Sequence, residues 1–218
     1  MTTIIQLKEN QMVEDQVAEQ LFDAALFAAK KHQGQVRKDR RGSPYITHPL
    51  TVAKTLWVIG GVRDGSTLVA AILHDTLEDT CTTQVEIREC FGEDILRIIL
   101  EVSDDKSLEK IERKRLEVLH ASEISSPAKL IKLGDKLANC RDILESPPNG
   151  WPLLRRQHYM QWAADVVAGL RGVNPPLENA FDQMLIKAEN QLQFSIQPYS
   201  TVNQRLWAPH PSANSPKE

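Results

Sequence analysis

The chain has 218 residues and a formal net charge of −3, from 26 basic and 29 acidic residues. This length fits one domain with a sizeable core, and 41% hydrophobic and 25% charged residues are ordinary for a soluble globular protein. The charge balance gives no general attraction to nucleic acid or to an anionic membrane. We therefore expect neither as a partner, and any site for an anion must be local.

The cysteines and the start of the chain indicate the compartment. Three cysteines without metal-finger or redox spacing fit a reducing environment better than a disulfide framework. The first residues lack the basic and then apolar pattern of a signal peptide, and no apolar run reaches membrane-spanning length. We expect a cytoplasmic protein.

The first predicted elements are two helices joined by a basic loop. Apolar residues at helical spacing predict a helix over residues 13–31. The following segment, GQVRKDRRGSPYITHP, has glycines, a Ser-Pro break and several cations, which is typical of an ordered loop. Pro49 suits the first turn of the next helix, so His48 lies at that helix's entrance.

The stretch Leu68–Thr80, LVAAILHDTLEDT, joins six apolar residues to four ionisable ones. In a continuous helix, His74 and Glu78 stand one turn apart, as do Asp75 and Asp79. Burying such groups without partners costs several kcal/mol each, and a divalent cation offsets that cost. The stretch therefore predicts a metal site beside an acidic pair that can handle water and protons.

The second half of the chain predicts more helices and no strand. Thr83-Gln84-Val85-Glu86 has the form of a capping box, and Ser126-Pro127 opens a helix that carries LGDKLANCRD. Further helices are predicted over residues 93–102, 108–120, 151–170 and 175–192. No period-two pattern stands out, so the sequence predicts an all-α fold with little or no strand.

Two imidazoles and two carboxylates now stand out, and their order resembles the HD superfamily of metal-dependent phosphohydrolases. In that family the pattern H…HD…D supplies four metal ligands, which correspond here to His48, His74, Asp75 and Asp135. The stretches HQGQVRKDRRGSPYITHP, AAILHDTLEDT and KLIKLGDKLANCRD more narrowly resemble the hydrolase domain of the RelA/SpoT group, above all its single-domain members, the small alarmone hydrolases.

The resemblance implies a domain organisation and an activity. It implies an HD-domain bundle of about eight to ten helices over residues 17–192, between an N-terminal extension (1–16) and a Pro/Ser/Asn-rich tail (193–218). It also implies hydrolysis of the 3′-pyrophosphate of guanosine tetra- and pentaphosphate, (p)ppGpp, with one Mn²⁺ ion. The products are GDP or GTP and pyrophosphate. Glu78 and Asp79 are by resemblance the pair that orients water and shuttles protons.

A phosphate-rich substrate on a net acidic protein requires a local basic cluster. By resemblance, Arg37 and Lys38 line the nucleotide pocket, and Asn139 and Tyr159 hold the ribose or base. Two further candidates for phosphate contacts are Lys106 and Lys132. These two lysines could equally be solvated charges, and Tyr159 could equally be a core residue.

Departures from the family pattern leave the substrate open. Gly134 stands where relatives often have alanine, which costs up to about 1 kcal/mol of helix stability. Ala138 and Cys140 are small, which predicts a roomier or differently shaped base pocket. Alternatives are therefore the adenosine analogue (p)ppApp or the 2′-phosphate of NADPH and, more distantly, a non-catalytic nucleotide-sensing HD module. The oligomeric state stays open.

Overall fold

The computed structural model describes residues 2–198, with side chains from residue 16 onward. Within that range the chain forms α1 (Thr2–Lys31), α2 (Thr47–Val58), α3 (Gly65–Leu73), α4 (Thr76–Asp79), α5 (Gln84–Phe91), α6 (Glu93–Val102), α7 (Lys110–His120), α8 (Ser126–Glu145), α9 (Leu153–Leu170) and α10 (Pro175–Leu192). Its extended pairing is limited to an isolated bridge between Val36 and Pro44. The all-α prediction is therefore confirmed.

None of the helices described is both long enough and apolar enough to cross a membrane.

Helix α3 lies at the centre of the fold and packs against α1, α2, α6 and α8. All its residues from Thr67 to Leu73 are buried, which explains the unbroken apolar run in the sequence. Asp64 caps its start by accepting a hydrogen bond of 2.8 Å from the Thr67 amide. This buried helix carries His74 and Asp75 into the interior.

The predicted continuous helix through Leu68–Thr80 is interrupted after Leu73. Two side chains form hydrogen bonds with backbone carbonyl oxygens that would accept from amides of the next turn in a continuous helix. His74 Nδ1 lies 2.9 Å from the Ala71 carbonyl oxygen, and the Thr76 hydroxyl donates a 2.6 Å bond to the Leu73 carbonyl. Such local side-chain bonds compete with the helix ladder, so His74 and Asp75 lie in a turn before α4.

Helix α8 packs against α2, α3, α6, α9 and α10, and it brings Asp135 to the end of α3. Its cap is Ser125, one residue earlier than predicted, whose hydroxyl accepts from the Ala128 amide. The predicted capping box of α5 is confirmed, with Thr83 and Glu86 bonding reciprocally. Local capping residues therefore set where α3, α5 and α8 begin.

The two ends of the chain differ in how far the structure describes them. Helix α1 begins at Thr2, well before the predicted start near residue 13. Residues 193–198 dock on α9, where the Gln161 side chain bonds both the amide and the carbonyl of Gln197. Residues 199–218 of the predicted tail lie outside the described residues, and the predicted domain boundaries stay predictions.

Candidate active site

Three of the four predicted metal ligands converge from three separate helical regions. His48 is the second residue of α2, His74 follows α3, and Asp135 lies midway along α8. One ligand atom from each lies within 4.8 Å of the others. His48 Nε2 is 3.0 Å from Asp135 Oδ1, and His74 Nε2 is 4.0 Å from the same oxygen. The group is therefore compact enough for a single cation.

The hydrogen bonding of His74 fits a metal ligand. Its Nδ1 donates to the Ala71 carbonyl, which leaves the lone pair on Nε2. That Nε2 is buried and has no hydrogen-bond partner among the described residues, although Asp75 Oδ1 lies 3.2 Å away. A buried lone pair facing a carboxylate oxygen is unfavourable unless a cation lies between them. The residues present therefore fit a divalent ion.

Asp75 lies beside this group but not within the compact set of three. Its Oδ2 is 3.7 Å from His48 Nε2 and accepts a 2.6 Å hydrogen bond from the Tyr45 hydroxyl. Burial raises the pKa of Asp75. The nearby His74 and His48 and the Tyr45 hydrogen bond lower it by more, so the carboxylate stays ionised. Its position allows ligation, and its predicted role stays a prediction.

The predicted catalytic pair, Glu78 and Asp79, lies on α4 next to the histidines and is bridged by Lys106. The amino group of Lys106 is 2.8 Å from Glu78 Oε1 and 2.9 Å from Asp79 Oδ1. Burial raises the pKa of Glu78, although Lys106 and the Asp104 amide act in the opposite direction. A carboxylate with a raised pKa is a stronger proton acceptor than an exposed one.

These groups open into a cavity of about 800 Å³ whose wall carries eight basic side chains beside seven acidic ones. Its lining includes the predicted Arg37 and Lys38, together with cations that the sequence did not single out, namely Lys110, Arg113, Lys114 and Arg155. Burial and then the neighbouring Lys110 and Lys136 lower the pKa of Lys114 to about 7. So dense a set of cations suits a ligand with several negative charges.

A second cavity of about 550 Å³ adjoins the first and shares part of its wall. Arg37 crosses this shared wall, with Nη2 2.6 Å from Asp142 Oδ2 and 3.1 Å from Asn139 Oδ1. Asn139 in turn donates to Asp135, and Tyr159 packs at 6.0 Å from the Trp151 ring. The two cavities together offer room for a nucleoside beside its phosphates.

Lys132 lines the larger cavity, as its predicted role requires, whereas two small residues of α8 lie away from both cavities. Lys132 donates to the Val102 carbonyl at 3.2 Å and pairs with Glu117 at 3.0 Å, so its charge is already engaged within the protein. Ala138 and Cys140 are fully or almost fully buried and line neither cavity. The prediction that these two residues enlarge a base pocket is wrong, because they face the core side of α8.

Sequence reasoning missed residues that act through contacts between distant segments. Tyr45 bonds Asp75, Lys136 contacts Asp135, and Glu117 is buried against Lys136. The one sequence signal for Lys136 is its position next to the Asp135 ligand. Tyr45 and Glu117 carry no local signal, because their partners are 30 and 19 positions away.

An HD-domain family model matches residues 24–164, which include every residue of the site. The chain belongs to the HD-domain family. A divalent metal ion is a general feature of this domain, and His48, His74 and Asp135 are grouped as possible ligands.

Within this family the chain is similar to proteins named guanosine-3′,5′-bis(diphosphate) 3′-pyrophosphohydrolase MESH1. It is 52% identical to the Xenopus tropicalis protein, over 76% of this chain and 93% of that one. The Homo sapiens protein is 51% identical over 77% and 93%. A solved structure described as a metazoan ortholog of SpoT that hydrolyses ppGpp is 43% identical, with a TM-score of 0.76 over 78% and 95% of the two chains.

Proposed function

We propose that this protein hydrolyses the 3′-pyrophosphate of (p)ppGpp, releasing pyrophosphate and GDP or GTP. The observation that carries the proposal is the convergence, in one cavity that also carries eight basic side chains, of the histidine and aspartate group with the bridged Glu78 and Asp79 carboxylates. The similarity to 3′-pyrophosphohydrolases over most of their length supports the same substrate.

The proposed ion is Mn²⁺, held by His48, His74, Asp75 and Asp135. This donor set of two neutral imidazoles and two carboxylates suits a borderline divalent ion. When bound, the ion supplies Lewis-acid stabilisation of the phosphoryl oxygens and acidifies the attacking water.

Glu78 is the proposed proton acceptor for that water. Burial raises the pKa of Glu78, which favours it as a proton acceptor, and it lies on α4 next to the ligand turn. The water oxygen forms a bond to the phosphorus attached to the ribose 3′-oxygen, and the bond from phosphorus to that oxygen breaks. Asp79 orients the water and relays a proton to the departing 3′-oxygen.

The basic side chains of the larger cavity bind the phosphates, and the adjoining cavity takes the nucleoside. Lys38 lines both cavities and lies close to their shared edge. Arg37, Asn139 and Tyr159 also line both cavities and are the proposed contacts of the nucleoside. Lys106 lines neither cavity, and its proposed contact with phosphate lies beside Glu78 and Asp79. Lys132, which Glu117 engages, has the weakest support as a phosphate ligand.

The test is a competition among three phosphoesters. Purified protein with Mn²⁺ receives equal amounts of ppGpp, ppApp and NADPH, and ion-exchange chromatography resolves the products over time. We expect pyrophosphate and GDP to appear first. Preferential turnover of ppApp or NADPH would contradict the proposed substrate, and no turnover by protein with bound Mn²⁺ would support a sensing role instead.

Two variants make the assay specific for the proposed chemistry. Glu78→Ala should keep Mn²⁺ and substrate binding but lose at least about 100-fold in kcat. Glu89→Ala removes an exposed carboxylate on α5, remote from both cavities' lining, and should behave as wild type. An active Glu78→Ala protein would remove that carboxylate from the mechanism.

A further inference from the structure

Lys136 is a buried lysine whose amino group lies between two carboxylates. Its side chain is 6% exposed, and its Nζ is 3.1 Å from Asp135 Oδ2 and 2.7 Å from Glu117 Oε1. The same Nζ is 4.3 Å from the centre of the Trp162 ring, within the range of a cation–π contact. The three contacts come from α7, α8 and α9, so the position of the ammonium is fixed from several sides.

The two oxygens of Asp135 are divided between different partners. Oδ1 faces His48 Nε2 at 3.0 Å and His74 Nε2 at 4.0 Å, and it accepts from the Asn139 amide. Oδ2 points away from the imidazoles and bonds Lys136. A carboxylate held at both oxygens cannot rotate freely, so the oxygen that faces the imidazole group stays the same.

A cation next to a metal ligand normally opposes metal binding, because the two positive charges repel each other. Glu117 counters this effect. Its carboxylate is 6% exposed and also pairs with Lys132 at 3.0 Å. The Glu117 charge, shared with Lys132, offsets part of the positive charge of Lys136, so Lys136 can orient Asp135 with less repulsion of a bound cation.

We propose that Lys136, anchored by Glu117, is a positioning residue that presents Asp135 Oδ1 to the metal ion. This inference rests on the metal site of the proposed function. Hydrogen-bond partners of metal ligands orient those ligands, and their loss usually costs 10- to 100-fold in metal affinity or activity.

The test compares two lysines that lie one turn apart on α8 and share Glu117 as a partner. Lys136→Met removes the contact with Asp135, whereas Lys132→Met removes only a contact with Glu117 and the Val102 carbonyl. Calorimetric titration with Mn²⁺ alone, in the absence of substrate, should give about a 10- to 100-fold weaker Kd for Lys136→Met. Lys132→Met should keep the wild-type Kd within about threefold.

Further readouts separate positioning from general stability. Lys136→Arg keeps a charged donor and should recover most of the Mn²⁺ affinity. The electron paramagnetic resonance spectrum of bound Mn²⁺ should change in Lys136→Met but not in Lys132→Met. If Lys136→Met does not fold by circular dichroism, Glu117→Gln replaces it. That variant frees the ammonium to compete with Mn²⁺ for Asp135, so it should also weaken the Kd.

Each outcome has a distinct meaning. If folded Lys136→Met binds Mn²⁺ as tightly as wild type or more tightly, the positioning role is overturned and the proposed hydrolase is left intact. The same holds for Glu117→Gln where it replaces Lys136→Met. Equal losses in Lys136→Met and Lys132→Met would also overturn it, because the effect would then come from the ion pair with Glu117. Failure of the wild-type protein to bind Mn²⁺ would instead contradict the metal site itself.

Discussion

Lys106 joins Glu78 to Asp79, with its amino group within 3 Å of one oxygen of each carboxylate. The lysine reaches α4 from the loop between α6 and α7, so the acidic pair is neutralised by a segment 27 positions away in sequence. The arrangement sets the basicity of Glu78, because burial raises its pKa and Lys106 lowers it.

The pH dependence of turnover should therefore depend on Lys106. In Lys106→Met the lowering influence is lost, so the pKa of Glu78 rises further. The acidic limb of the kcat profile should move to higher pH, by up to about one unit because Lys106 is half exposed.

Lys110→Met is the matched control for this shift. Lys110 lines the larger cavity, as Glu78 and Asp79 do, and it forms no ion pair with either carboxylate in the part of the chain described. It should change KM without moving the acidic limb. A Lys106→Met profile that overlays the wild type would show that Lys106 does not tune Glu78.

Substitution of Lys38 should affect substrate binding more than chemistry. Its side chain lies at the edge of both cavities, where it can contact phosphate equally in the ground state and the transition state. Lys38→Ala should raise KM about tenfold with kcat nearly unchanged in steady-state assays. Arg40→Ala, also exposed in the basic loop but absent from both cavity walls, should leave KM unchanged.

The buried Glu117 should make stability depend on acid. Burial raises its pKa, but Lys132 and Lys136 lower it more strongly, to about 2 from an ordinary value of 4.5. A lowered pKa stabilises the fold above pH 4.5, and the effect is lost as pH falls towards 2. The contribution at pH 7 is about 3 kcal/mol.

Urea unfolding of wild type and Glu117→Gln at several pH values measures that contribution. The variant should be about 3 kcal/mol less stable at pH 7. The difference between the two proteins should shrink steadily below pH 4.5. A difference that stays constant down to pH 3 would show that the charge of Glu117 does not stabilise the fold.

Gly134 should not gain stability on replacement by alanine. Helix propensity favours alanine by about 1 kcal/mol, but an added Cβ would lie 2.9 Å from Leu56 Cδ2, in the packed contact between α2 and α8. Leu56 can move only slightly because it is fully buried. We expect Gly134→Ala to unfold at an equal or lower urea concentration than wild type.

Gly169→Ala gives the comparison. There the added Cβ would meet Ala121 Cβ at 2.8 Å and the Ser122 backbone nitrogen at 3.1 Å, neither of which is the end of a flexible side chain. This variant should lose more stability than Gly134→Ala. A clear stabilisation by Gly134→Ala would mean that the contact with Leu56 relaxes at little cost.

The sequence by itself determined the features that depend on neighbouring residues. The capping box at Thr83 could be read directly, because a cap bonds an amide two or three positions away. The apolar run of α3 predicted a buried helix, because that pattern is formed by consecutive residues. The order of His48, His74, Asp75 and Asp135 could be read as a family pattern, and the structure places three of them in one compact group.

Tertiary structure decided which side of each helix meets which neighbour. Ala138 and Cys140 flank Asn139 in sequence, yet both face the core, whereas Asn139 faces the cavity. Lys132 and Lys136 look alike in sequence, but only Lys136 contacts Asp135, while both meet Glu117 from another helix. Such contacts depend on how α7, α8 and α9 pack together, and no local spacing encodes that packing.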